Sequence, residues 1–375
     1  MDPRAPLALL GGLTPETFMR RHWQRKPLLV RQALPGLEPP AAFDELRALA
    51  ARDDVESRLV RCRDGQWSLR RGPMAARALP ARRQPGWTLL VQGLDLHVPA
   101  AHELLQRFRF IPQARLDDLM LSYATDGGGV GPHLDSYDVF LIQVHGRRRW
   151  RIGRPAGDDF IEGLPLKILR DFQPEEEWVL EPGDLLYLPP RWAHDGQALG
   201  ECMTCSVGFR SPTQEEVVGE VLARLADEEG GERSRRYRDP GEPATQSPGR
   251  IPDGLAGFAR DAVRRRLADD EAIDRALGEF LTEPKAQTWF ETCPKGWQGG
   301  GVRLHRRSRL MYDARHVYLN GESFRASGRD ARLMRRLADE GFLSGSDVAL
   351  LSAPARQLLA RWVEDGWMQE DDHER

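Results

Sequence analysis

His133 and Asp135 stand two residues apart in GGGVGPHLDSYDVFLIQVHGRRRWRIG, a spacing that on an extended strand sends both side chains out of one face. His194 offers a third neutral nitrogen in EPGDLLYLPPRWAHDGQ, where an apolar run and a proline turn would present it at the mouth of a jelly roll. Two histidines and one carboxylate make a facial triad. Three such ligands cover one face of an octahedral metal and leave three positions for a bidentate oxoacid and dioxygen. The expected metal is therefore Fe(II), with 2-oxoglutarate and O2 as co-substrates. His-X-Asp alone arises by chance in long chains; the strand and turn before His194 give the motif its weight.

In the run from Arg147 to Ile152 a period of two places Arg148, Trp150 and Ile152 on one face and Arg147, Arg149 and Arg151 on the other. Arg148 thus points inward among apolar neighbours. A buried guanidinium needs a planar two-pronged partner, and the far carboxylate of 2-oxoglutarate fits; an internal pair with an aspartate or glutamate is the alternative. Thr204 and Ser206 share a strand face and could turn hydroxyls toward the same cofactor, although hydroxyls on one sheet face are common. Glycines 127, 128, 129 and 131 precede the triad without the lysine and Ser or Thr of a phosphate-binding loop, so backbone freedom is the simpler reading. His145, beside Gly146 at the end of an apolar run, reads as a turn histidine and not a ligand.

The elements needed to position these groups can be read around them. Thr14-Pro15-Glu16 caps a short helix. Residues 55–71 read as a hairpin turning at Asp64-Gly65. Apolar runs at Trp87–Val91, Leu116–Tyr123, Val139–Val144, Arg148–Ile152, Leu185–Leu188 and Met203–Phe209 recur between Gly/Pro turns, the rhythm of a sandwich or jelly roll. After Ser211-Pro212 the period changes to helical, with Val217, Val218, Val221, Leu222 and Leu225 on one face. A polar Gly/Pro-rich linker follows near 229–250, then helices to about 292. Strands around Leu310 and Val317, a turn at Asn320-Gly321 and helices near 329–340 and 353–365 suggest a small winged-helix module.

The chain has 375 residues, 54 Lys+Arg against 57 Asp+Glu, and no run long and apolar enough for a membrane span. Cys62, Cys202, Cys205 and Cys293 lack zinc-type spacing, and the first residues lack a signal peptide's pattern, so a cytoplasmic protein is expected. Arg303, Arg306, Arg307 and Arg309 make the last module locally basic, but Glu370, Asp371 and Asp372 offset them. Nucleic-acid binding is accordingly not expected as a primary role.

Together GPHLDSYDVFLIQVHGRRRW, LEPGDLLYLPPRWAHDG and SVGFRSP resemble the bacterial ribosomal oxygenases of the JmjC family, specifically the ribosomal protein arginine hydroxylases. The likeness spans about Leu13 to Pro212, and the later segments follow the same layout. It implies an α+β architecture in three parts: a JmjC double-stranded β-helix (jelly roll, cupin-like) over 1–211, a helical dimerisation segment over 212–300, and a winged-helix-like domain over 301–375. It also implies a homodimer, and hydroxylation of an arginine β-carbon in large-subunit ribosomal protein sixteen. The family's iron ligands fall on His133, Asp135 and His194, and its oxoglutarate-binding basic residue on Arg148.

On a strand, residues 118, 120 and 122 share a face, so Asp118 could pair with a substrate guanidinium while Met120 and Tyr137 flank it. The plainer reading leaves Asp118 at a loop end and Met120 in the core. A relative acting on histidine or methyl-lysine, a non-catalytic metal- or RNA-binding module, and a small-molecule cupin are the alternatives. An inward Asp118 favours a cationic substrate, an intact triad disfavours the silent module, and a cupin of that kind has no need of Arg148.

Overall fold

The computed structural model describes residues 2–155, 157, 159–227, 236–240, 243–244, 246–293 and 296–371. Two compact units divide between Ser211 and Pro212, except that residues 287–289 group with the first. Of the linker near 229–250, residues 229–235, 241–242 and 245 lie outside the described residues, as does Asp372. Among the described residues no helix is long and apolar enough to cross a membrane, and the four cysteines are free.

The first unit is built on nine strands: β1 Leu28–Val30, β2 Ser57–Arg63, β3 Gln66–Arg71, β4 Trp87–Val91, β5 Leu116–Ala124, β6 Val139–Gly153, β7 Glu176–Leu180, β8 Leu185–Leu188 and β9 Ala193–Phe209. They run in the order β1-β8-β6-β9-β5-β4-β2-β3, with β7 paired to β6. Asp64 and Gly65 take the positive φ values that the β2–β3 turn needs, 51° and 75°. The two runs read separately at 139–144 and 148–152 are one strand, β6. Its first half pairs with β8 and residues 203–208 of β9, and its second half with β7 and residues 193–199.

Register shifts at His145 bend both long strands at that point, letting them close two sheets into a double-stranded β-helix. Gly146 permits the bend: its φ is 61°, and a Cβ there would lie 2.1 Å from the Glu201 carbonyl oxygen. Helix α1 (Pro15–Arg21), capped by the Thr14 hydroxyl accepting from Thr17 N, packs Phe18 against Tyr187 and Phe140. Each such fully buried ring contributes about 1.5–3 kcal/mol. Helices α2 (Phe43–Leu49) and α3 (Pro99–Gln106) complete this unit.

The second unit opens with α4 (Gln214–Asp227), α5 (Asp253–Leu267) and α6 (Asp270–Thr282), so the last of these helices stops ten residues short of the expected 292. Val221 and Leu225 bury against Ala272 and Ala276. Val218 and Leu222, expected on the same buried face, are 48% and 43% exposed. Strands β10 (Val302–Leu304), β11 (Leu310–Tyr312), β12 (His316–Leu319) and β13 (Glu322–Arg325) follow, then helix α7 (Gly328–Glu340), β14 (Phe342–Leu343), α8 (Gly345–Ala349), α9 (Ala353–Glu364) and β15 (Met368–Glu370). This is the winged-helix arrangement, and Asn320 and Gly321 make its β12–β13 turn at φ 51° and 89°.

Candidate active site

The triad assembles by backbone pairing, although His133 and Asp135 lie on no regular strand. His133 forms an isolated antiparallel bridge with His194, each N–H donating to the other's carbonyl at 3.0 Å. Directly opposed residues of such a pair project from one face, and the two imidazole centroids are 4.2 Å apart. Asp135 Oδ2 lies 3.6 Å from His194 Nε2, and one ligand atom from each of the three lies within 4.8 Å of the others.

Each imidazole is oriented from behind. His133 Nδ1 lies 2.9 Å from the Gly131 carbonyl and His194 Nδ1 3.0 Å from that of Trp192. A carbonyl only accepts, so Nδ1 carries the proton in both rings and Nε2 keeps its lone pair for a metal. Burial, and then the neighbouring His133, hold the pKa of His194 down to about 4, so it is neutral at pH 7. A neutral nitrogen pair with one carboxylate is the donor set that Fe(II) accepts, and these residues fit it.

The glycines before His133 do more than loosen a loop. A Cβ on Gly129 would lie 2.5 Å from the Gly196 carbonyl oxygen and one on Gly128 2.5 Å from that of Trp87, so close backbone approach requires both. Gly131, at φ 78°, is walled by Trp67 and Ile168 and supplies the carbonyl that orients His133.

Arg148 is 5% exposed. Its Nη1 donates to Ser122 Oγ and Thr204 Oγ1, both at 3.2 Å, while its buried Nε has no hydrogen-bond partner. No internal aspartate or glutamate answers it among the described residues, which disposes of the structural alternative and leaves a guanidinium suited to a ligand carboxylate. Trp150 joins this group to the triad: its ring is 5.4 Å from the Arg148 guanidinium carbon and 5.9 Å from the His194 ring. Ser206 lies on the Thr204 side of β9, opposite Met120 of β5.

Asp118 is 2% exposed, with Oδ2 accepting from Gln92 Nε2 at 2.7 Å and Gly93 N at 2.9 Å. It sits inside β5, opposite Gly208 of β9, and not at a loop end. A Cβ on Gly208 would stand 3.7 Å from Asp118 Oδ1 and 3.8 Å from Tyr137 Cε2, so carboxylate and ring face the same small space. Tyr137 is 39% exposed; desolvation at its hydroxyl, then the charges of Asp135 and Asp118, push its pKa up. Half-buried Met120 shares the Asp118 face.

Sequence reasoning set Ser122 on the Asp118 face without giving it a role, and passed over Gln143, Gln92 and Arg58. Gln143 had left a signal, a lone amide in the run VFLIQV. It is fully buried, accepts from Thr204 Oγ1 at 2.9 Å, and donates to the His145 carbonyl at 2.8 Å, tying the Arg148 cradle to the strand bend.

Residues 103–217 match the JmjC domain and residues 265–369 the ROXA-like winged helix. The ribosomal protein uL16 3-hydroxylase of Escherichia coli (strain K12) is 36% identical over 272 residues, covering 72% of this chain and 71% of that protein. A probable ribosomal oxygenase of Haemophilus influenzae is 29% identical across 95% of this chain and 96% of its own length. The chain is similar in structure to Escherichia coli ycfD, with TM-score 0.83, 30% identity and coverage of 95% of this chain and 98% of that one. Against YcfD, a ribosomal oxygenase from Escherichia coli in complex with cobalt and 2-oxoglutarate, the TM-score is 0.80 at the same identity and coverage.

Proposed function

This chain belongs to the JmjC ribosomal oxygenases, and on that premise we propose that it hydroxylates the β-carbon of an arginine side chain in large-subunit ribosomal protein sixteen (uL16). It is a 2-oxoglutarate-dependent protein hydroxylase with its metal site at His133, Asp135 and His194. Iron bound there with 2-oxoglutarate supplies the oxidation, consuming O2 and releasing succinate and carbon dioxide.

The protein's own share is placement. His133 and His194 hold their lone pairs inward because backbone carbonyls hold their Nδ1 protons. Arg148, fixed by Ser122 and Thr204, receives the distal carboxylate of 2-oxoglutarate, and the Ser206 hydroxyl, two residues from Thr204 on β9, is assigned to the same co-substrate. Asp118 pairs with the substrate guanidinium while Met120 and Tyr137 flank it.

The observation that carries the arginine reading is the buried Asp118 carboxylate facing the space beside the Tyr137 ring. A cationic side chain there gains a charge-assisted hydrogen bond from the carboxylate that a neutral one does not match, a difference of about 1–3 kcal/mol. The exposed apolar residues Val218 and Leu222 of α4 support a homodimer through the middle helices. A ribosomal substrate and the lack of a membrane-spanning helix among the described residues support a cytoplasmic location.

Mass spectrometry of an arginine-containing uL16 peptide, incubated with the enzyme, Fe(II) and 2-oxoglutarate, tests the reading. One oxygen added on arginine by the wild type and not by His133→Ala is the expected result. Triad-dependent succinate without a modified arginine would retain the reaction and discard the substrate.

A further inference from the structure

We propose that Gln92, held by Arg58, is the positioning residue that makes Asp118 a selective receptor for a guanidinium; the proposal rests on the arginine reading above. Three neighbouring strands bring the groups together: Arg58 lies on β2, Gln92 follows β4 and Asp118 lies on β5. The Gln92 side-chain carbonyl accepts from Arg58 Nη2 at 2.9 Å, and its amide nitrogen donates to Asp118 Oδ2 at 2.7 Å. Chemistry fixes the direction of that amide. A guanidinium only donates and an ionised carboxylate only accepts, so the flipped amide would set donor against donor and acceptor against acceptor.

The Gly93 N–H adds a second donor to the same oxygen at 2.9 Å. Two donors on Oδ2 set the plane of the carboxylate, and with it the place of Oδ1 beside Gly208 and the Tyr137 ring. A planar two-pronged guanidinium depends on that plane far more than a point charge does. Arg58 also reaches Met120 Sδ at 3.7 Å, so one guanidinium braces two of the groups assigned to the substrate side chain.

Arg58 is itself a cation beside a site for a cation, and the Gln92 amide, bonded to both groups, passes orientation from the guanidinium to the carboxylate.

The test uses the full-length enzyme with Fe(II) and 2-oxoglutarate. An arginine peptide competes with the same peptide carrying citrulline, its neutral isostere, for the wild type, Gln92→Met, Arg58→Met and Arg58→Lys. Gln92→Met is expected to cut the preference for arginine about tenfold, the size of one charge-assisted hydrogen bond. The loss should fall on KM for the peptide, with KM for 2-oxoglutarate and the melting temperature unchanged. Arg58→Met should act alike, and Arg58→Lys, which still donates to the Gln92 carbonyl, should keep most of the preference. Equal losses on both peptides, or a shifted KM for 2-oxoglutarate, would reduce Gln92 to a structural role and overturn the proposal. A wild type that prefers arginine alongside a Gln92→Met enzyme of undiminished preference defeats the positioning role alone. A wild type that hydroxylates neither peptide defeats the arginine reading and this one together.

Discussion

A buried ionised group that lacks an ion-pair partner marks where a ligand of opposite sign belongs. Arg148 has hydroxyls around Nη1 and no partner at Nε, and its desolvation is offset by no ion pair among the described residues. Replacing it with methionine should therefore raise KM for 2-oxoglutarate at least tenfold, as loss of a buried charge pair predicts. The free energy of unfolding should stay within about 1 kcal/mol of wild type or rise. The two hydroxyls keep other work in that variant, because Ser122 donates to the Thr204 carbonyl and Thr204 to Gln143. Urea denaturation beside steady-state kinetics checks both halves, and a variant several kcal/mol less stable would show that Arg148 has a structural partner.

For single elements, the demands on the site become demands on strand geometry. Strands β6 and β9 serve both sheets only because they bend near His145, and the same bend carries the Gln143–Thr204 link that seats Arg148. At the far edge, buried Asp184 ties β1 to β8: its carboxylate accepts from Gln32 N and Glu181 N at 3.0 Å and from Arg31 Nη1 at 2.6 Å. Burial alone would raise its pKa, but these donors outweigh it and hold the carboxyl below its ordinary 3.8. A depressed carboxylate pKa adds stability that is present above the unfolded value and lost as pH falls through the folded one. Asp184→Asn, which puts a donor where an acceptor stood, should cost about 1–3 kcal/mol at pH 7. Its deficit against wild type should shrink below pH 3.8; a deficit constant from pH 7 into the acid range would assign the effect to shape and not to charge.

For the whole molecule, the apolar residues that α4 leaves exposed are the feature a lone chain does not explain. Val221 and Leu225 are satisfied by α6, whereas Val218 and Leu222 are not. If they form the proposed homodimer contact, Val218→Glu with Leu222→Glu should convert the enzyme to monomers in sedimentation velocity, with its far-UV circular dichroism unchanged. Double variants that sediment as the wild type does would move the interface elsewhere.

The metal ligands were legible because spacing and local chemistry sufficed: His133 and Asp135 two apart, and His194 after a strand and a proline turn. The inward face of Arg148 followed from a period of two, since alternation is local to one strand. The winged-helix turn at Asn320-Gly321 was legible for the same reason, its positive φ values being a property of those residue types. The single bent strand β6 was not, because a bulge is specified by the partner strand and by the Glu201 carbonyl that meets Gly146. Nor were Gln92 and Arg58: Gln92 bonds to Arg58 on one side and Asp118 on the other, linking three segments far apart in the chain. By itself the sequence determined the chemistry, through residue types at short spacings. The tertiary structure alone decided which distant polar groups hold those residues still, because hydrogen-bond partners across strands depend on register, which no local pattern contains.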